Sequence, residues 1–103
     1  MAATPEAKVK AKIKKILAEH NIYYAMPIGS GFGNAGVPDF LCCVSGYFVA
    51  IEAKAGKGQT TALQDKHLGQ VNKAGGYTCV INENNLDYIT KVIAECKERA
   101  NHE

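Results

Sequence analysis

No apolar run in this sequence approaches the ~20 residues a membrane helix needs, and Met1-Ala2-Ala3-Thr4-Pro5 forms no signal-peptide apolar region. These absences predict a soluble, cytoplasmic protein with no membrane partner, a phage protein acting in its host's cytoplasm included. No C-x-x-C pair occurs among Cys42, Cys43, Cys79 and Cys96. Adjacent strand residues point to opposite faces, so Cys42 and Cys43 are poor co-ligands for one metal. His20, His67 and His102 lack zinc-site spacing. Buried free thiols in a reducing compartment are the expectation. A strong charge excess is also missing: 12 Lys+Arg against 10 Asp+Glu leave +2, which does not by itself mark a nucleic-acid binder. Distribution says more. Lys8, Lys10, Lys12, Lys14 and Lys15 crowd one segment, and Lys54, Lys57, Lys66 and Lys73 follow through the middle.

What is present suits one α/β domain over residues 1–103: 47% hydrophobic and 21% charged residues can feed a single core. Thr4-Pro5-Glu6 reads as an N-cap, a first-position proline and an acidic first turn, and Val9, Ile13, Ile16 and Leu17 recur at helical spacing. This predicts a helix from Pro5 to Glu19. Ile22 to Met26 predicts a strand, and the glycine-rich run from Gly29 to Gly36 a flexible loop that Pro38 ends. Asp39–Val44 and Tyr47–Lys54, separated by Ser45-Gly46, form a tight hairpin apolar on both faces, hence mid-sheet and covered by helices. Thr61-Ala62-Leu63-Gln64 has capping-box form and opens a helix that Gly75-Gly76 stops. Tyr77–Ile81 is a further strand, and Asn84 or Asn85 caps a last helix carrying Leu86, Ile89, Val92, Ile93 and Cys96. The order is α-β-β-β-α-β-α.

Two glycine motifs fail on mechanism. Gly31-Phe32-Gly33-Asn34-Ala35-Gly36 matches G-x-G-x-x-G, but Val37-Pro38 and a strand follow where a dinucleotide site needs a helix N-terminus. Gly56-Lys57-Gly58-Gln59-Thr60-Thr61 lacks P-loop spacing. No nucleotide cofactor is expected.

The hairpin instead sets up a charge constellation. Counting outward from Val44 opposite Tyr47, Asp39 falls opposite Glu52, where like charges repel unless a cation compensates. Lys54, two residues past Glu52, lies on the same face. Each residue alone has an ordinary explanation as a solvated strand end. Glu52, however, closes an apolar run and must be paired or hydrated. A hard divalent ion such as Mg²⁺ or Mn²⁺ suits two carboxylates, water and a phosphate oxygen. Glu6 either approaches this face from the first helix or only complements the helix dipole. Gln64 is the reciprocal member of the Thr61 capping box.

Gly36-Val37-Pro38-Asp39, Glu52-Ala53-Lys54, Gly58, Gln64 and Ala74-Gly75-Gly76 together resemble the virus-type replication-repair nuclease (VRR-NUC) domain of the PD-(D/E)XK phosphodiesterase superfamily. The resemblance runs from Glu6 to about Ile81. It implies a restriction-endonuclease-like fold, a central mixed sheet flanked by helices. It also implies that Asp39, Glu52 and the Ala53 carbonyl bind Mg²⁺, for which Mn²⁺ substitutes, and that Glu6 completes the shell directly or through water. Lys54 orients or activates the attacking water, and Gln64 positions the site or the scissile phosphate. Lys57, Lys66 and Lys73 carry no motif and are candidate DNA-backbone contacts.

The expected activity is metal-dependent hydrolysis of phosphodiester bonds in branched or junction DNA, similar to a Holliday junction resolvase and carried out by a homodimer. The alternatives are a monomeric nuclease of flaps or single-stranded ends, and a catalytically silent nucleic-acid-binding module. The presence of Asp39, Glu52 and Lys54 argues against the last.

Overall fold

A computed structural model describes residues 3–28 and 35–102; the expected loop over residues 29–34, with most of the declined G-x-G-x-x-G motif, lies outside the described residues. The first helix, α1 (Pro5–Glu19), starts where its residues dictate. The Thr4 hydroxyl accepts the Ala7 N–H at 3.1 Å, Pro5 takes the first turn, and Val9, Ile13 and Leu17 are buried. Next come β1 (Tyr23–Ala25), β2 (Phe40–Val44) and β3 (Tyr47–Ala53), then α2 (Ala62–Lys73), β4 (Tyr77–Ile81) and α3 (Asp87–Asn101). The element order matches the one read from the sequence.

Ser45 (φ 52°) and Gly46 (φ 88°) both adopt left-handed backbone, the two-residue turn whose twist matches that of its strands. It locks β2 against β3 with Val44 opposite Tyr47 and Phe40 opposite Ile51. The sheet order is β1-β2-β3-β4, antiparallel through β3 and parallel between β3 and β4, with α2 in the crossover.

One sheet face, carrying Phe40, Val44, Ile51, Cys79 and Ile81, packs against Ile13 and Leu17 of α1 and Ile89, Ile93 and Cys96 of α3. Each such side chain contributes roughly 1.5–3 kcal/mol by leaving water. The other face receives α2 alone. A helix about 10 Å wide covers two strands spaced about 4.8 Å, and this sheet has four. Ala50 and Glu52 are covered, while Cys43 and Phe48 (46% exposed) are not. The expectation of helices over both faces of the hairpin is met on one face and half met on the other. Cys43 is likewise an exposed thiol, unlike buried Cys42, Cys79 and Cys96.

The expected cap of the last helix is also corrected. Leu86 occupies the N-cap position without a side-chain cap bond. Asn85 turns backward instead: its Oδ1 accepts the Asn82 N–H at 2.7 Å and its Nδ2 donates to the Val80 carbonyl at 3.0 Å, fastening the β4–α3 turn.

Gly36 joins the chain entering β2 to the start of α2. Its backbone is left-handed (φ 84°), and a Cβ there would stand 2.7 Å from Leu63 Cγ and 2.9 Å from the Leu63 backbone carbonyl. Both the conformation and the space require glycine. Gly36→Ala is expected to lower unfolding stability by about 1–3 kcal/mol in denaturant titration. Ala35→Gly, one residue earlier, should change it by less than about 1 kcal/mol.

Candidate functional site

The hairpin register carries Asp39 and Glu52 to adjacent positions at one end of the sheet. Asp39 immediately precedes β2, and extending the observed pairing by one place sets it opposite Glu52 on the face covered by α2. Extending it by two sets buried Pro38 opposite Ala53. Alternate residues of β3 bond to alternate neighbours, and Lys54 N–H reaches the Ile81 carbonyl at 2.9 Å, so the Ala53 N–H and C=O face the β2 side. There the Ala53 N–H donates to Asp39 Oδ2 at 2.8 Å. Pro38 has no N–H to return, which leaves the Ala53 carbonyl directed at the Asp39 side without a ladder donor.

Glu52 is the buried charged residue of the described structure, 2% exposed. Two groups hold its Oε2. Lys54 Nζ lies 3.7 Å away, on a side chain 14% exposed, and Gln64 Nε2 donates at 2.9 Å. Gln64 is free to do so because its other end is fixed: its Oε1 accepts the Thr61 N–H at 2.9 Å while the Thr61 hydroxyl accepts the Gln64 N–H at 3.2 Å. The capping box and the contact with Glu52 are thus two ends of one amide. Burial, followed by the Asp39 charge, pushes the Glu52 carboxyl up to about 7, against the pull of Lys54; hydrogen bonding with Asp39 and the charge of Glu6 add to the rise.

Sequence reasoning missed one member. Lys10 projects from α1 to place Nζ 3.4 Å from Asp39 Oδ1 and 3.6 Å from Glu6 Oε2. Burial lowers its pKa, but the two carboxylates outweigh burial and raise it, so the group stays charged. The signal was the i,i+4 spacing of Glu6 and Lys10 on a helix otherwise read as a lysine-rich surface. Glu6 itself is near enough to act on Glu52 electrostatically, yet its link to Asp39 runs through the Lys10 ammonium.

Of the expected DNA-contacting lysines, Lys57 is exposed in the turn after β3, and Lys66 and Lys73 lie exposed two helical turns apart on α2. None of the three forms an ion pair with the acids. Glu83 grips the same turn: both carboxylate oxygens accept the Gly56 N–H, at 2.9 and 3.0 Å, which steadies the chain just beyond Lys54. Two surface hollows run along α2, past Leu63, His67 and Gln70, and a third lies between Tyr77 of β4 and Tyr88, Val92 and Glu95 of α3.

The donor chemistry at the sheet end consists of oxygen only: the Asp39 and Glu52 carboxylates and the Ala53 carbonyl. Among the described residues no three His, Cys, Asp or Glu side chains gather closely enough to hold a metal by themselves. Such a sparse oxygen set suits Mg²⁺ or Mn²⁺, which keeps water and takes substrate oxygens, and does not suit a closed structural zinc site. The residues fit that group.

No family model matches the chain, and no curated protein does. Among solved structures, one described as a "VRR_NUC domain protein" superposes with a TM-score of 0.63 over 92% of this chain and 89% of its own, at 20% identity. The chain therefore has the fold of a VRR-NUC domain, the fold that the motif resemblance implied.

The raised carboxyl makes stability depend on pH with a definite sign. Folded metal-free protein holds a proton on Glu52 that the unfolded chain releases near 4.5, so stability is full below that value and falls as pH rises through about 7. Denaturant titrations without divalent ions should show a loss on the order of 2 kcal/mol between pH 5 and pH 8. Glu52→Gln, which retains an acceptor for Lys54 and Gln64, should flatten that slope; an equal slope in the variant would place the effect elsewhere.

Proposed function

We propose that this chain is a metal-dependent nuclease of the PD-(D/E)XK type that hydrolyses phosphodiester bonds in DNA. The observation that carries the reading is the opposition of Asp39 and Glu52 on paired strands with Lys54 on their face, in a chain with the VRR-NUC fold. The description of the structural neighbour as a VRR-NUC domain protein supports it, as does the gathering of Asp39, Glu52 and Lys54 at one end of the sheet.

Asp39, Glu52 and the Ala53 carbonyl would hold Mg²⁺, with Mn²⁺ able to substitute. The ion supplies charge withdrawal from the scissile phosphate and a lower pKa for water. The chain's own residues do the rest. Glu52 must lose its proton to serve as a ligand, and Lys54 at 3.7 Å supplies the positive charge that favours this loss. Lys54, little exposed and fixed at the strand end, then offsets negative charge growing on the phosphate oxygens and orients the attacking water. Gln64 holds Glu52 in one orientation from the first turn of α2. Hydrolysis breaks the P–O bond to the leaving nucleotide oxygen, which takes a proton, and water supplies the hydroxyl on phosphorus.

Branched DNA is the proposed substrate and a homodimer the proposed active form. A four-way junction needs two opposed cuts, and a two-fold pair presents two such sites. Lys57, Lys66, Lys73 and the lysines of α1 would contact phosphates, positioning the protein without reading sequence.

Cleavage of labelled duplex, flap, splayed and four-way DNA with and without Mg²⁺ tests this reading. Asp39→Ala, Glu52→Ala and Lys54→Ala should each lose about a hundredfold or more in cleavage and keep a wild-type circular dichroism spectrum. Full activity of Asp39→Ala, or activity in chelator, would refute the site. Light scattering at micromolar concentration should give twice the chain mass, and DNA affinity should fall steeply with added salt. A strict monomer that cuts flaps and ignores four-way junctions would remove the junction reading and leave the nuclease.

A further inference from the structure

The two oxygens of Asp39 have different neighbours. Oδ2 accepts the Ala53 N–H at 2.8 Å, a bond that belongs to the strand pairing. Oδ1 is the oxygen left for an external cation, and the Lys10 ammonium stands 3.4 Å from it. Lys10 belongs to none of the motif positions. It reaches the site from α1, over the end of the sheet, with Glu6 Oε2 as a second anchor at 3.6 Å.

We propose that Lys10 is a tethered cation that holds the metal's place on Asp39 in the free protein and passes to the substrate phosphate when a divalent ion takes Asp39. The inference rests on the metal-site reading above. Its physical basis is competition: an ammonium and a divalent ion at one carboxylate oxygen repel each other, so metal binding includes the work of moving the ammonium aside. Lysine suits the task because its charge is a compact point on a flexible four-carbon stem. The side chain is 32% exposed and therefore has room to swing outward, while its α-carbon stays fixed in a helix whose Val9 and Ile13 are buried in the core. Once displaced, the ammonium remains above the acids, where the next anion to arrive is the phosphate. In the free protein the same ammonium offsets the mutual repulsion of Glu6 and Asp39.

Isothermal titration of the full chain with Mn²⁺ alone, without DNA, provides the test. Wild type should bind Mn²⁺ in a manner lost in Asp39→Ala. Lys10→Met, which keeps the stem and removes the charge, should bind it about threefold tighter or more, whereas Lys10→Arg should stay near wild type. Lys97→Met, at an exposed position on α3, controls for general loss of charge and should stay within about twofold. At saturating Mn²⁺, Lys10→Met should cut DNA about tenfold more slowly, with most activity retained by Lys10→Arg. If Lys10→Met does not fold, Lys10→Gln takes its place. Unchanged or weaker Mn²⁺ binding in the charge-removed variant would overturn the inference and leave the metal site standing. Absence of Asp39-dependent Mn²⁺ binding in wild type would overturn both. Tighter binding with undiminished cleavage would overturn the transfer to phosphate.

Discussion

A carboxylate at the covered end of a central strand is the constraint on which the rest of this structure turns. Glu52 sits where apolar residues precede it along β3 and where α2 closes over it, so its charge cannot be left to water. Three neighbouring features answer that demand. Lys54 brings a positive charge from the same strand face, Gln64 brings an amide donor from α2, and the carboxyl itself retains its proton more tightly than a free one. Replacing any of them alters the state of Glu52 before it alters anything else. The site is thus poised and not relaxed: its acids are close enough to destabilise one another, and a cation relieves them.

Local chain chemistry places these groups without any long-range device. The left-handed pair Ser45 and Gly46 fixes the hairpin, and the hairpin fixes which side chains face one another. Pro38 ends the ladder by withholding an N–H, which leaves the Ala53 carbonyl without a ladder donor, while the Ala53 N–H is taken by the Asp39 carboxylate. Gly36 lets the approaching chain lie against Leu63, one residue from Gln64. The loop carrying one acid and the helix serving the other are therefore packed against each other.

Much of this was legible in the sequence because the signals were local. The boundaries Pro5–Glu19 and Tyr77–Ile81 follow directly from a proline cap and from flanking glycine and asparagine, and the Asp39–Glu52 opposition follows from counting along a two-residue turn. The parts that were not legible depend on which surface covers which. Cys43 reads as buried from an apolar run, but a single helix is too narrow for a four-strand sheet. Asn85 reads as a cap, but the Asn82 N–H and Val80 carbonyl compete for its side chain. Lys10 looked like one of five lysines on a solvated helix, since periodicity says which face a residue occupies and not what stands across from it. Gln64 showed the opposite effect, because its capping role hid a second bond made by the other end of the same amide.

The hairpin ladder also limits where this chain can change in length. Side chains alternate faces with a period of two, so one residue inserted within β2 or β3, between the turn and the acids, would carry Asp39 to the opposite side of the sheet from Glu52. An insertion of two would restore them to one side but displace Asp39 along the strand, away from the Ala53 amide. The Ser45-Gly46 turn is under a looser constraint, because a longer loop that keeps Val44 opposite Tyr47 leaves the acids opposed. Tolerance of a length change therefore switches within a few residues, from the exposed tip of the hairpin to the paired strands that hold the acids.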